Sequence, residues 1–289
     1  MNDYRSVVVH VSESERSRAV LSCAAVVAAQ QGATLSAVHS VEPLHLGPYL
    51  SSETGMTAAR FRQETERRRT AKANERVLEA ARTSGMHIDF RSLGGDPVKV
   101  MSERSRAADL LVMGQPADDD ADGPSERFAS QVLVGTGCPV LFVPGAGPVG
   151  SCGTRVLVAW STTRESARAL RDALPLLQRA AKVEILRFGT AAPGAEEPLD
   201  DVAAYLRSHG VPATCTVQPA PEVSFGGRLL SPLVFDASIA ELLLSHTAAT
   251  DANLIVMGGY GHTRAYELLL GGVTRTVLGS MTVPVLMSH

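Results

Sequence analysis

The chain has 289 residues with a formal net charge of −3, 45% apolar and 20% charged residues. A slightly acidic balance argues against a broad nucleic-acid-binding face, and no run of about 20 apolar residues exists to cross a membrane. The length allows about two domains, each able to bury its own core.

In chain order, residues 7–11 read as a strand, 14–31 as a helix capped by Ser12 or Ser14, and 34–40 as a strand. A loop with Pro43, Gly47 and Pro48 leads into a long charged helix, 57–84, stopped by Gly85. Strand 87–93 follows, then helix 97–107 opened by Asp96-Pro97, strand 109–114, helix 128–134 and strand 139–143. The remaining chain repeats the plan: 155–160, 164–181, 183–188, 199–209, 214–218, 236–250, 254–258, 272–279 and 283–287. The N-terminus "MNDYRSVVVHVSESE" has too short an apolar piece for an export signal, so the expected location is the cytoplasm. Cys23, Cys138, Cys152 and Cys215 form no CxxC pair and read as reduced thiols.

The repetition is explicit. "RSVVVHVSESERSRAVLSCAAVVA" from Arg5 resembles "TRVLVAWSTTRESARALRDALPLL" from Thr154. "ADLLVMGQP" at Ala108 matches "ANLIVMGGY" at Ala252, and "GCPVLFVP" at Gly137 matches "TVPVLMSH" at Thr282. The separations are about 145 residues throughout. We expect an N-terminal domain over 1–146, a Gly/Pro-rich linker over 147–153 and a C-terminal domain over 154–289. Continuously apolar strands alternating with helices imply two tandem doubly wound, parallel, five-stranded α/β sheets of Rossmann-like type. The copies are expected to pack as a pseudo-dimer within one chain through the final strands 140–143 and 285–287, and a homodimer of whole chains is a further option.

Ligands of such sheets sit beyond the carboxyl ends of the strands, which places the turns after Trp160, Phe188 and Met257 on one rim. There the sequence spaces glycines as Gly258-x2-Gly261-x9-Gly271, with Gly272 adjoining, before the final helix. Bare backbone at a helix N-terminus admits phosphate to unpaired amides. Tight turns and close helix–sheet packing explain the same glycines equally well. Together, the two-copy plan, "VMGGYG", the G-x2-G-x9-G spacing and the terminal "PVLM" strand resemble the universal stress protein family in its tandem form.

The resemblance implies an adenine nucleotide, ATP first, with ADP, AMP and an accompanying magnesium ion left open. It implies a phosphate loop of Gly258, Gly261, Gly271, Gly272 and Val273, a first-strand turn of Trp160 and Ser161, and a second-strand end of Phe188 or Gly189. His262 and Arg264 flank that loop as candidate phosphate neighbours. Two departures stand out: Gly272 replaces the Ser or Thr that follows the third glycine, and Ser161 (Ser12 in the first copy) replaces an Asp after the first strand. The first copy departs further, with "MGQPADDDADGPSERFASQV" bringing Pro116, which has no N–H, and Asp118, Asp119, Asp120 and Asp122. We expect no nucleotide there. The same aspartates mimic a calcium loop, but its twelfth position is Ala129.

Arg67–Arg69 lie among acids and read as a solvated helix face rather than an RNA site; His10 and His39 read as packed residues. With no G-x-S-x-G elbow and no Walker lysine, the expected protein is not an enzyme, slow ATP hydrolysis aside. The expected function is a stress-response protein with a regulatory nucleotide, the alternatives being a nucleotide-free scaffold of the same fold and a weak ATPase. An apolar insertion at 220–237 reads as a lid over the crevice or, preferably, a patch that docks on the other half or on another subunit, and a protein partner of unknown identity is expected besides.

Overall fold

The computed structural model describes residues 3–41, 53–117, 120, 123–145, 151–189, 199–221, 224–225, 228–229, 232–259 and 272–289. The first half runs β1 (Ser6–His10), α1 (Ser17–Gln31), β2 (Thr34–Val41), α2 (Glu53–Ser84), β3 (Ile88–Gly94), α3 (Pro97–Ser105), β4 (Leu110–Gly114), α4 (Glu126–Gly135) and β5 (Val140–Val143). The second runs β6 (Arg155–Ala159), α5 (Arg164–Asp172), α6 (Leu174–Leu177), β7 (Lys182–Gly189), α7 (Asp200–Ser208) and β8 (Thr214–Pro219). A short hairpin, β9 (Ser224–Phe225) and β10 (Arg228–Leu229), precedes α8 (Pro232–Ala249), β11 (Leu254–Gly258), α9 (Gly272–Ser280) and β12 (Val285–Ser288).

Each half has the order 3-2-1-4-5 of a doubly wound sheet, and the two join edge to edge into one ten-stranded sheet, β3-β2-β1-β4-β5-β12-β11-β6-β7-β8. Within the ten-stranded sheet, pairing is parallel inside each half and antiparallel only at the join, where Val285, Leu286 and Met287 face Phe142, Leu141 and Val140. The two expected five-stranded sheets are therefore halves of one continuous sheet. Strands at the join are buried throughout because both faces are covered. One face packs on α1, α2, α5, α6 and α7, the other on α3, α4, α8 and α9.

Side chains reinforce the join. The Tyr4 hydroxyl donates to the Asp172 carbonyl at 2.6 Å, Gln31 Nε2 to the Pro175 carbonyl at 3.1 Å, and Arg275 pairs with Glu126 at 3.1 Å. No helix among the described residues is long and apolar enough to cross a membrane.

Local signals account for most element ends. Asp96 caps α3 by accepting from the Lys99 amide, with Pro97 in the first turn. Gly32 closes α1 at φ 66°, where a side chain would be strained. Two expectations are corrected. Helix α1 begins at Ser17 after Arg16, not after a serine cap, because the Ser12 and Ser14 hydroxyls are engaged within the preceding turn. The single helix expected over 164–181 is two, since Pro175 lacks the N–H a continuous helix would use.

Candidate functional site

The carboxyl ends of β6, β7 and β11 form the rim expected to hold a ligand. At the end of β6, the Trp160 amide donates to the Leu186 carbonyl at 2.8 Å and so belongs to the sheet. Ser161 is exposed; its amide donates to Ser166 Oγ at 3.1 Å, and its hydroxyl meets that of Thr163 at 3.0 Å. Thr163 caps α5 by accepting from the Ser166 amide at 3.2 Å. The rim thus begins as a belt of hydroxyls at a helix N-terminus. Trp160 packs on the α5–α7 face of the sheet and Phe188 on the α8–α9 face, so they flank the rim from opposite sides. Gly189 ends β7, where a Cβ would meet Val217 at an ordinary 3.5 Å.

The described glycines are held close to protein atoms. A Cβ on Gly258 would fall 2.5 Å from the Ser166 nitrogen and 2.7 Å from the Glu165 carbonyl carbon, so α5 can lie against β11 only if residue 258 is glycine. On Gly272 it would fall 2.5 Å from Asp236 Oδ2 and 2.6 Å from Asp236 Cβ. The first residue of α9 therefore lies against an acidic side chain of α8. Val273, beside it, is half-buried on the same face as Phe188. Gly261, Gly271, His262 and Arg264 lie outside the described residues.

Glu165 is buried beneath this rim. Burial opposes its charge, but Arg164 at 2.5 Å and a bond from its own backbone prevail, and its carboxyl is held below the usual range. Glu165, Asp236 and the Thr163 cap were not singled out in the sequence. Only the cap had a local signal, the "STTRES" turn; the two acids become rim residues through packing between elements distant in the chain.

The equivalent rim of the first half has the same opening, since the Ser12 amide donates to Ser17 Oγ at 3.1 Å. Beyond that it is filled. Asp120 accepts from the Ser14 hydroxyl and lies 3.7 Å from Arg16. Arg69 of α2 pairs with Glu13 at 2.8 Å. Arg76, only 3% exposed, donates to the Ser14 carbonyl and pairs with Glu15 at 2.9 Å. Arg67, Arg68 and Arg69 are exposed on α2, as expected of a solvated face; the buried Arg76 of the same helix, together with the Arg69 ion pair, pins α2 onto the turn after β1. Pro116 is buried. His39 Nδ1 donates to the Val11 carbonyl, 2.9 Å away. The His10 ring lies 5.1 Å from that of Phe128, and burial, with His39 nearby, lowers its pKa to about 4.

Two copies of a 3-2-1-4-5 doubly wound unit, each with a rim at its strand ends, define a tandem doubly wound α/β protein. A model of the Universal stress protein family matches residues 3–144 and again 154–289, and the chain belongs to that family. No curated protein sequence matches it. Among solved structures, a universal stress protein from Archaeoglobus fulgidus is similar over 98% of this chain and 95% of its own, with 17% identity and a TM-score of 0.70. A protein of unknown function from Pseudomonas aeruginosa covers 99% of this chain and 92% of its own, at 14% identity and TM-score 0.57. A universal stress protein from Archaeoglobus fulgidus in complex with dAMP covers 48% of this chain and 97% of its own, at 19% identity and TM-score 0.33.

Proposed function

We propose that this stress protein holds an adenine nucleotide on the rim of its C-terminal half as a regulatory, non-catalytic ligand, and holds none in its N-terminal half. The proposed division is a domain over 1–146, a linker over 147–153 and a domain over 154–289, acting in the cytoplasm. The observation that carries the reading is the contrast between the rims. In the first half Arg16, Arg69, Arg76 and Asp120 close over the turn after β1. In the second, Ser161 is exposed and Arg164 is 86% exposed. The first amides of α9 lack partners within the helix, as at any helix N-terminus, and are proposed to receive the phosphates, with Gly261, Gly271, His262 and Arg264 as the proposed loop and its flanks.

One observation favours a second reading, a nucleotide-free interaction scaffold. Gly258 and Gly272 are both accounted for by packing against Glu165, Ser166 and Asp236.

Acid extraction of the purified protein, followed by chromatography, and titration calorimetry with ATP, ADP and AMP, with and without magnesium, separate the two. Binding at one site per chain, lost in Gly261→Val, supports the nucleotide reading. No copurifying nucleotide and no heat of binding leave the scaffold.

A further inference from the structure

The ten-stranded sheet has two outer strands, β3 and β8, and their edges differ. An unpaired strand edge is a template for another chain unless something blunts it. At β8 the Ala220 amide donates to the Gly189 carbonyl at 2.8 Å. Backbone groups alternate sides along a strand, so those of Gln218 and Thr216 also face β7, and Pro219 faces outward, where its ring offers no N–H. At β3 the Gly95 amide donates to the Val41 carbonyl at 3.0 Å. The same alternation turns the backbone groups of Leu93 and Arg91 toward β2 and leaves the N–H and C=O of Phe90 and Ser92 facing outward. Among the described residues no strand pairs with that side, and no proline interrupts β3.

Helix α2 lies alongside this edge. Between them runs an open groove of about 440 Å³, lined by Gln63, Glu66, Arg67, Thr70 and Asn74 of α2 and by Phe90 of β3. Phe90 is half-buried against the core and gives the groove an aromatic wall. Glu66 lies 4.0 Å from Arg69, and Arg68 pairs with Glu64 at 3.1 Å. Among the described residues, the exposed Arg67 has no ion-pair partner, and the side-chain amides of Gln63 and Asn74 make no hydrogen bond. The stretch 60–72, "RFRQETERRRTAK", sets five arginines and one lysine against two glutamates, on a chain whose net charge is −3.

We propose that the β3 edge and this groove form a docking site for an extended, acidic peptide segment of a partner protein, which adds to the sheet as an eleventh strand. The peptide backbone pairs with the outward N–H and C=O groups of Phe90 and Ser92. Its alternate side chains enter the groove: a carboxylate meets Arg67, with Gln63 and Asn74 beside it, and an apolar side chain packs on Phe90. A nucleic acid or a lipid headgroup could use the arginines, but it has no row of amides and carbonyls to pair with β3. The open strand therefore selects a peptide, and the basic stretch selects an acidic one. The site is independent of the nucleotide proposed for the other half.

The probe is the fluorescein-labelled peptide TETVTET, which presents glutamate, valine and glutamate on one face of a strand. It is titrated into the full-length protein by fluorescence anisotropy, with amide hydrogen exchange followed by NMR. Binding with a Kd below about 1 mM is expected, with exchange at Phe90 and Ser92 slowed about tenfold or more. Arg67→Glu is expected to weaken binding about tenfold or more. Ser92→Pro removes an outward donor while leaving the bonds to β2 in place, and is expected to do the same. Of two peptides N-methylated at odd or at even positions, one is expected to lose about tenfold or more in affinity, because only one set of amides faces β3. No anisotropy change at about 1 mM peptide overturns the proposal. So does binding unaffected by either methylation, or protection away from β3. A single-stranded RNA of about ten nucleotides that binds more tightly and is unmoved by Ser92→Pro would make the stretch a nucleic-acid patch instead. A concentration-dependent dimer in sedimentation, with the same amides protected, would give the edge to a second copy of this chain; either result also overturns the proposal. The methylated peptides decide the matter even if Ser92→Pro does not fold.

Discussion

Gln115, the first residue after β4, donates its side-chain N–H to the Leu278 carbonyl at 2.7 Å, across the join and near the end of α9. The same group reaches the Gly279 carbonyl at 3.2 Å, while its oxygen accepts from the Gly145 amide at 2.9 Å. One side chain thus ties the last helix of the second half to the end of β4 and to the residue two past β5. Gln115→Ala removes all three bonds and is expected to cost about 1–3 kcal/mol. Urea denaturation checks this: a loss below a few tenths of a kcal/mol would mean water replaces the side chain freely.

Two glycines at opposite extremes of crowding make a matched test. Gly258→Ala would place its methyl carbon into the backbone of α5 at 2.5 Å, so helix or strand must shift. A loss of about 3 kcal/mol is expected. Gly279, exposed in the last turn of α9, has nothing within 4 Å of a built Cβ, and Gly279→Ala should gain about 0.5 kcal/mol. Thermal melts of the two variants should move in opposite directions; movement in the same direction contradicts the packing described at the rim.

The buried His10 sets a pH dependence. Its pKa in the folded chain is lowered from 6.5 to about 4 by burial, with His39 a lesser cause. Between those values the unfolded chain takes a proton that the folded chain refuses, so stability falls as pH drops from about 6.5 toward about 4. The full effect is on the order of 3 kcal/mol for this group. His39, also lowered by burial, acts with the same sign. His10→Phe should therefore flatten the profile without abolishing its slope. Denaturation midpoints at several pH values read the slope, and an unchanged slope refutes the assignment.

Asp236 lies against the first residue of α9, where the proposed ligand's phosphates would approach. A carboxylate there opposes further negative charge. Asp236→Asn is expected to tighten nucleotide binding about tenfold, roughly 1.4 kcal/mol, and to help ATP more than AMP in the absence of magnesium. Titration calorimetry of both chains checks it; equal gains for the two nucleotides would place Asp236 away from the phosphates.

Much of the plan was legible because its signals are local or repeated. The duplicated "VMG" strand ends, the β-branched runs and the Asp96-Pro97 helix start need no distant partner, and the pairing of the final strands followed from the duplication. What stayed hidden depends on the fold. Nothing near Arg76 in sequence distinguishes it from its exposed neighbours, yet it is buried against the turn after β1. The cap of α1 was misplaced because Ser12, Ser14 and Ser17 bond among themselves, and a serine count cannot say which hydroxyl faces which amide. The glycine spacing fitted a ligand loop and a packing surface alike; the partners of Gly258 and Gly272, Ser166 and Asp236, sit on helices far away in the chain.

The antiparallel seam between β5 and β12 gives each copy a lasting cover for its outermost strand, whatever happens at the opposite end of its strands. A duplicated chain also lets a substitution strike one crevice while sparing the other, which two identical subunits cannot do. One copy is thereby released to become a specialised brace, crowded with arginine and aspartate, while its twin leaves Ser161 and Arg164 exposed at the corresponding turn.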